Sequence, residues 1–194
     1  EVLTKGQGGQ TKCVNTGCLV VEYDAEGVPF PASESGALVI GEIMYNAWGS
    51  DVDREWFEIY NPMGTAVDLT GWTIQDCAVQ PQYSIALEGS VAPYDVLVLG
   101  NESNYADNGG VPVDQEYGIT FPLPNTVGTL VLYDALGNLV DQVEYSSFGD
   151  WPTQAGHSIQ LKTPESDNTK SGSWSISNKE YGDGSNFGTP GFVP

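Results

Sequence analysis

Two glutamates in strand-forming segments are the residues whose type and position come closest to a catalytic pair. Glu42 lies in the run 38–45 and Glu58 in the run 55–60. Glycoside hydrolysis needs two carboxyl groups facing each other, about 5 Å apart in retaining enzymes and roughly 6.5–9.5 Å apart in inverting ones. Strand alternation, however, readily places both side chains on a polar outer face of a sheet. We therefore predict no catalytic residues and a protein that is not an enzyme.

Cation binding is the second chemistry that clustered carboxylates can serve. Asp51, Asp53 and Glu55 form an alternating acidic run at the end of the loop 46–54, and Ca²⁺ takes carboxylate and carbonyl oxygens at about 2.3–2.6 Å. The run lacks the rest of an EF-hand loop, so a solvated charged loop is the simpler interpretation. The acidic turns 24–26 and 107–110 are comparable candidates. No cofactor is therefore required by the sequence, and Ca²⁺ at Asp51, Asp53 and Glu55 is the candidate that it leaves open.

Two tryptophans, Trp48 and Trp151, lie in polar loops. An aromatic ring with polar neighbours can stack on a sugar ring. A loop that packs over one open end of a sandwich explains the same pattern. Trp56, Trp72 and Trp174 instead fit core positions of strands. Carbohydrate binding through Trp48 and Trp151 is therefore the alternative to a purely structural role.

Cysteine and histidine chemistry is sparse. Cys13 and Cys18 enclose a turn-forming spacer, so a short-loop disulfide between them is geometrically reasonable, with two reduced thiols as the alternative. Cys77 is left over and is expected to be a buried apolar residue. His157 is the only histidine and is expected in an exposed loop. The ligand pairs of a zinc site are absent from this set.

The charge of the chain restricts its partners. Acidic residues number 26 against 6 Lys and Arg, for a net charge of −20. Binding to nucleic acid requires cations that neutralise phosphates, and anionic membranes attract basic segments, so both partners are disfavoured. The sequence also contains no apolar run of about 20 residues that would span a bilayer. Strong acidity suits a secreted or cell-surface protein that stays soluble in salt.

Short strands dominate the pattern along the chain. We predict about nine, with turns rich in Gly and Pro between them and no crossover helices, which favours an all-β antiparallel sandwich. The clearest hairpin joins 129–133 to 139–145 across the turn 134–138. Residues 1–36 are predicted to be an N-terminal arm or linker that carries the Cys13/Cys18 clip. Residues 37–194 are predicted to form the sandwich domain.

Six sequence blocks, in this order, resemble the lamin tail domain in its secreted bacterial form. The blocks are IGEIMYN (40–46), EWFEIYNP (55–62), LTGW (69–72), VAPYDVLVLG (91–100), LVDQVEY (139–145) and GTPG (188–191). The resemblance covers about 37–192 and implies an immunoglobulin-like β-sandwich.

The function that this resemblance implies is structural. Bacterial members of the family resemble architectural or adhesive modules appended to secreted enzymes and surface proteins, with no shared catalytic residues. The expectation is therefore a non-catalytic extracellular structural or adhesive module. Stiffening of its acidic loops by Ca²⁺ is an option that rests on the carboxylates and not on the resemblance. Its expected partners are other proteins or extracellular polysaccharide, without nucleic acid and without membrane insertion.

Overall fold

The computed structural model describes residues 38–76 and 83–193 in full, and the backbone alone of residues 3–5, 9–14 and 17–21. These residues form short strands, a single helical turn, α1 (Asp51–Arg54), and 3₁₀ turns at Gly118–Thr120 and Ser171–Ser173. The strands are β1 (Leu3–Lys5), β2 (Gly9–Val14), β3 (Gly17–Val21), β4 (Val39–Met44), β5 (Trp56–Tyr60), β6 (Val67–Asp68), β7 (Thr73–Gln75), β8 (Ser84–Ala86), β9 (Ser90–Val91), β10 (Val96–Gly100), β11 (Gln115–Glu116), β12 (Val127–Tyr133), β13 (Leu139–Ser146), β14 (Ile159–Leu161), β15 (Trp174–Ile176), β16 (Glu180–Tyr181) and β17 (Asn186–Phe187).

The first layer is a six-stranded sheet in the order β11-β10-β5-β4-β14-β15. Neighbouring strands are antiparallel, apart from β10 and β11, which run parallel. Aromatic and β-branched residues dominate β5, as is typical of a strand packed on both faces. A register shift between Ile40 and Glu42 marks a β-bulge in β4, and beyond it Glu42 lies directly opposite Glu58.

The second layer is a four-stranded antiparallel sheet in the order β13-β12-β7-β8. The predicted hairpin is confirmed as β12 and β13. Its turn is closed by Asp134, which accepts hydrogen bonds from the N–H groups of Leu136 and Asn138 at 2.8 Å each. Gly137 takes a left-handed conformation (φ 79°) that a residue with a side chain rarely adopts.

The main core lies between the two sheets, so the predicted β-sandwich is confirmed. Burying one such apolar side chain contributes about 1.5–3 kcal/mol. The six-stranded sheet contributes Ile40, Ile43, Phe57, Ile59, Leu97, Leu99, Ile159 and Leu161, and the four-stranded sheet Ile74, Ile85, Leu130, Leu132, Val143 and Tyr145.

The outer face of the six-stranded sheet is also covered, contrary to the expectation of a polar open face. Trp56 and Val98 form a second apolar cluster there, and Trp56 Nε1 donates to Tyr181 Oη at 3.0 Å. Glu42 and Glu58 are both 0% exposed. The expectation fails because the chain after β15 folds back across this face.

The N-terminal residues form a small sheet of their own, in the order β1-β2-β3. The register places Cys13 opposite Cys18, whereas their side chains lie outside the described residues, and so does Cys77. Residues 1–36, expected to be an arm or linker, carry these three strands. The division between an arm (1–36) and a domain (37–194) stays a prediction. Within the described ranges, no helix has the length and apolar character needed to cross a membrane.

Candidate functional site

The carboxylate pair Glu42–Glu58 is the most unusual group of side chains in the described structure. The two residues are cross-strand neighbours in β4 and β5, and they point away from the main core. Side chains directly opposite in an antiparallel pair have Cβ atoms about 4.5–5.5 Å apart. Two acidic groups are therefore held side by side in a region without solvent.

A C-terminal clamp, residues 188–191 (Gly-Thr-Pro-Gly), binds this pair. Glu42 accepts hydrogen bonds from the Thr189 N–H at 2.8 Å, from the Thr189 hydroxyl, and from Ser158 Oγ at 2.5 Å. Glu58 accepts one hydrogen bond, from the Gly191 N–H at 2.5 Å. Its other oxygen, Oε2, is buried without a hydrogen-bond partner.

The protonation of the pair follows from these contacts. Burial raises the pKa of both carboxyls, and the charge of Glu42 raises that of Glu58 further. The hydrogen bonds from Ser158 and Thr189 act in the opposite direction on Glu42 because they stabilise its ionised form. We therefore assign the negative charge to Glu42 and a retained proton to Glu58, with the two groups titrating as a pair.

The pair is not arranged to act on a substrate. Neither carboxyl reaches solvent, and the clamp occupies the space in which a sugar would have to bind. The chemistry that the geometry supports is the binding of a distant chain segment through charge-assisted hydrogen bonds.

Asp141 is a further buried carboxylate, and sequence analysis did not single it out. It is 3% exposed and accepts hydrogen bonds from the Ile40 N–H and from Asn168 Nδ2, each at 2.7 Å. Burial raises its pKa to about 7. Asp141 thus joins β13 of one sheet to the bulged start of β4 in the other. The signal in the sequence is a charged residue that follows Leu139 and Val140 in the strand-forming run 139–145.

The predicted Ca²⁺ residues lie in and just after α1, not in an irregular loop. Asp51 Oδ2 accepts a hydrogen bond from Asn125 Nδ2 at 2.6 Å, and Oδ1 is buried without a partner. Glu55 accepts from the Leu123 N–H at 3.1 Å. Burial, with a smaller contribution from the charge of Asp51, raises the pKa of Glu55 to about 8.

Asp53 lies two positions from either of these residues, on a half-exposed part of the helical turn. Among the described residues, no three Asp, Glu, His or Cys side chains are gathered as a metal site. Of the other acidic turns, Asp107 accepts from Asn104 Nδ2 at 2.5 Å, and residues 24–26 lie outside the described ranges.

Trp48 and Trp151 have different surroundings. Trp48 is 59% exposed at the sandwich surface. Trp151 is half-buried, packs against the main core, and lies with its ring centroid 6.1 Å from that of Trp174. The structure therefore does not bring the two together as matching surface rings. Trp56 and Trp174 are buried as predicted, and Trp72 packs against the core.

His157 is not the exposed loop histidine that the sequence predicts. Its ring is half-buried and stacks on Phe187, with centroids 4.4 Å apart. Nδ1 lies 2.8 Å from the Ser177 carbonyl oxygen. The prediction fails because a β-bridge ties His157 to β17, an interaction that local sequence does not encode.

The sequence matches a known protein family. A sequence model of the family described as Lamin Tail Domain matches residues 31–147, more than half of the chain. The match includes β4 to β13 and ends before Ser158, Thr189 and Gly191, which complete the contacts of Glu42 and Glu58. Among curated proteins, none matches the chain.

Proposed function

Because the chain belongs to the lamin tail domain family, whose immunoglobulin-like fold is consistent with a structural module, we propose that it is a non-catalytic structural or adhesive module of a secreted or surface protein. Its partners in this proposal are other proteins or extracellular polysaccharide.

One observation carries the non-catalytic part of the proposal: the buried carboxylates are used as internal cross-links. Each accepts a hydrogen bond from a backbone N–H far away in sequence, by 147 residues for Glu42, 133 for Glu58, 101 for Asp141 and 68 for Glu55. An unpaired buried polar group costs about 1–3 kcal/mol, so these contacts select one arrangement of the chain. The raised pKa values of these four buried carboxyls are thus accounted for by the fold.

The extracellular part is supported by charge and by the N-terminal hairpin. A net charge of −20 favours solubility in salt and opposes binding to nucleic acid. Cys13 lies opposite Cys18 in the register of β2 and β3, which supports a disulfide between them. Disulfides persist in oxidising compartments.

Two measurements test this function together. The domain in solution should be retained by insoluble bacterial cell walls or by extracellular matrix. It should also give no turnover on a panel of polysaccharides. Glu42→Gln and Glu58→Gln should alter thermal stability without any activity to remove. Turnover that either substitution abolishes would instead show a carboxylate hydrolase.

Ca²⁺ stiffening is the second element of the proposal. It is supported by Asp51, whose buried Oδ1 lacks a hydrogen-bond partner. Asp53 and Glu55 are near it in sequence, and the three side chains are not gathered as a metal site in the described structure. A ligand that binds only the native state raises the melting temperature, and the rise grows with the ratio of free ligand to Kd. We expect Ca²⁺ to raise it beyond the effect of NaCl after treatment with EDTA, and Asp51→Asn with Asp53→Asn to remove that increment. If NaCl alone produced the same rise in melting temperature, these carboxylates would be surface charges screened by salt and not a Ca²⁺ site.

The alternative function, a carbohydrate-binding module, is favoured by Trp48 and not by Trp151. An exposed indole that the fold holds in place is a feature that a structural role alone does not require.

A further inference from the structure

The backbone of Trp48 is fixed by a buried amide. The Trp48 N–H donates to Asn186 Oδ1 at 2.7 Å, and Asn186 Nδ2 donates back to the Trp48 carbonyl at 3.2 Å. Asn186 is 1% exposed and lies 138 residues further along the chain. Arg54 Nη1 also donates to the same carbonyl at 3.4 Å. An exposed residue is thus anchored from beneath by the folded domain.

The position of the indole ring depends on a glycine. Gly156 has φ +76°, and a Cβ atom at this position would collide with Cδ1 and Nε1 of Trp48. The turn is itself held, because the Gly156 N–H donates to the Asn46 carbonyl at 2.8 Å. The ring therefore lies directly against backbone on one side, while more than half of the side chain stays open to solvent.

Polar groups lie beside the Trp48 backbone. Arg54 forms an ion pair with Asp183 at 3.0 Å and donates to Ser185 Oγ at 2.7 Å. The guanidinium therefore bridges the Trp48 backbone and the carboxylate of Asp183, whose side chain is 43% exposed. Hydrogen bonds from Ser185, and then Arg54, lower the pKa of Asp183. Asp183 consequently stays ionised and can accept hydrogen bonds from hydroxyl groups.

We propose that Trp48 and Asp183 form a subsite for an uncharged pyranose ring of a polysaccharide, with the ring stacked on the indole and its hydroxyls bound by Asp183. This inference rests on the adhesive function proposed above and gives it a site and a ligand class. Aromatic rings supply a rigid apolar surface at low entropic cost. Because Trp48 is already anchored, little conformational freedom would be lost on binding.

Size and charge distinguish a sugar from the other partners. A stable protein interface buries about 800 Å² on each side, whereas Trp48 is a single exposed apolar ring whose backbone is bound by Arg54, the partner of Asp183 and Ser185. The net charge of −20 disfavours anionic polymers. A neutral pyranose, with an apolar C–H face and hydroxyls at its rim, matches both observations.

The test uses hexasaccharides of glucose, xylose and N-acetylglucosamine, with binding to the intact chain followed by calorimetry and tryptophan fluorescence. At least one should bind, with an affinity that does not change between low and high NaCl. Trp48→Ala should weaken that binding about tenfold or more. Gly156→Ala should also weaken it, because it displaces the ring while keeping the tryptophan, and Asp183→Asn should weaken it several-fold.

Two control variants separate binding from folding. Trp151→Ala should lower the melting temperature, since its ring packs on Trp174, and leave the affinity of the folded protein unchanged. Leu136→Ala, at an 88% exposed position of the β12–β13 turn, should change neither property.

Three results would overturn the subsite: failure of all three hexasaccharides to bind, wild-type affinity in folded Trp48→Ala, or binding that is lost at high NaCl. The adhesive function can be judged separately. If cell walls retain the domain and also the Trp48→Ala variant, the subsite is wrong and the adhesive function stands. If they retain neither, the adhesive function fails as well.

Discussion

Glu42 and Glu58 face each other, yet their hydrogen bonds predict different effects of a glutamine substitution on the free energy of unfolding. Glutamine has the shape of a protonated glutamate, so Glu58→Gln should change the free energy of unfolding by less than about 1 kcal/mol at mildly acidic pH. It should stabilise the protein at alkaline pH, where wild-type Glu58 is forced towards a second buried charge. Glu42→Gln should cost about 2–4 kcal/mol because Thr189 and Ser158 lose a charged acceptor.

Denaturant unfolding at two pH values measures both effects, and Glu165→Gln, at an exposed site, gives the background. Equal losses from both variants would show that the charge is not localised on Glu42.

The tryptophans show what residue-level reasoning could and could not predict. Both Trp48 and Trp151 occur in polar loops, and local sequence gave no basis for separating them. Their surroundings come from Asn186 and Trp174, which lie far along the chain. The same holds for the predicted Ca²⁺ residues, since the buried state of Glu55 depends on Leu123.

At the scale of elements, the bulge in β4 is stabilised by the other sheet. A bulge leaves a backbone group outside the regular ladder, and here the Ile40 N–H donates to Asp141 of β13 at 2.7 Å. Asp141→Ala should therefore cost about 2–4 kcal/mol, by leaving buried donors unpaired. It should also speed amide hydrogen exchange at Ile40. Asp150→Ala, at an exposed position, is the control.

Unchanged exchange at Ile40 in Asp141→Ala would mean that this amide finds another partner, and the bulge would then be independent of the second sheet.

Strand positions could largely be predicted from sequence because alternation and turn residues are local properties. Alternation along β5 places Phe57 and Ile59 in the main core and Trp56 in the second apolar cluster, on the other face. It could not show that the second face is covered, because the covering segment 178–191 has little apolar periodicity. A period-two pattern shows which residues share a face of the strand, but it does not show what packs against that face.

For the whole molecule, stability should increase as the pH falls from alkaline values towards about 5. Burial raises the pKa of Asp141 from 3.8 to about 7 and that of Glu55 from 4.5 to about 8. Between its unfolded-state and folded-state pKa, each group holds a proton in the folded protein that the unfolded chain has released. In that range each group lowers the free energy of unfolding by up to about 1.4 kcal/mol for every pH unit that the pH rises. Asp68, Asp134 and Asp183 have lowered pKa values, so their contribution is lost only at acidic pH.

Chemical denaturation across this pH range, at high NaCl to screen the net charge of −20, checks the prediction. Asp141→Asn should flatten the profile between about pH 5 and 7. Stability that rises steadily from acidic to alkaline pH would contradict the assignment of protons to these buried groups.

The clamp over Glu42 and Glu58 also sets an order of events during synthesis. Thr189 and Gly191 leave the ribosome 147 and 133 residues after their partners, a delay of about 7–30 s at common translation speeds. Throughout that interval the outer side of β5, including Trp56, is without its C-terminal cover. The nascent chain therefore presents an apolar strip beside two solvated carboxylates, a surface suited to a chaperone until the last turn arrives.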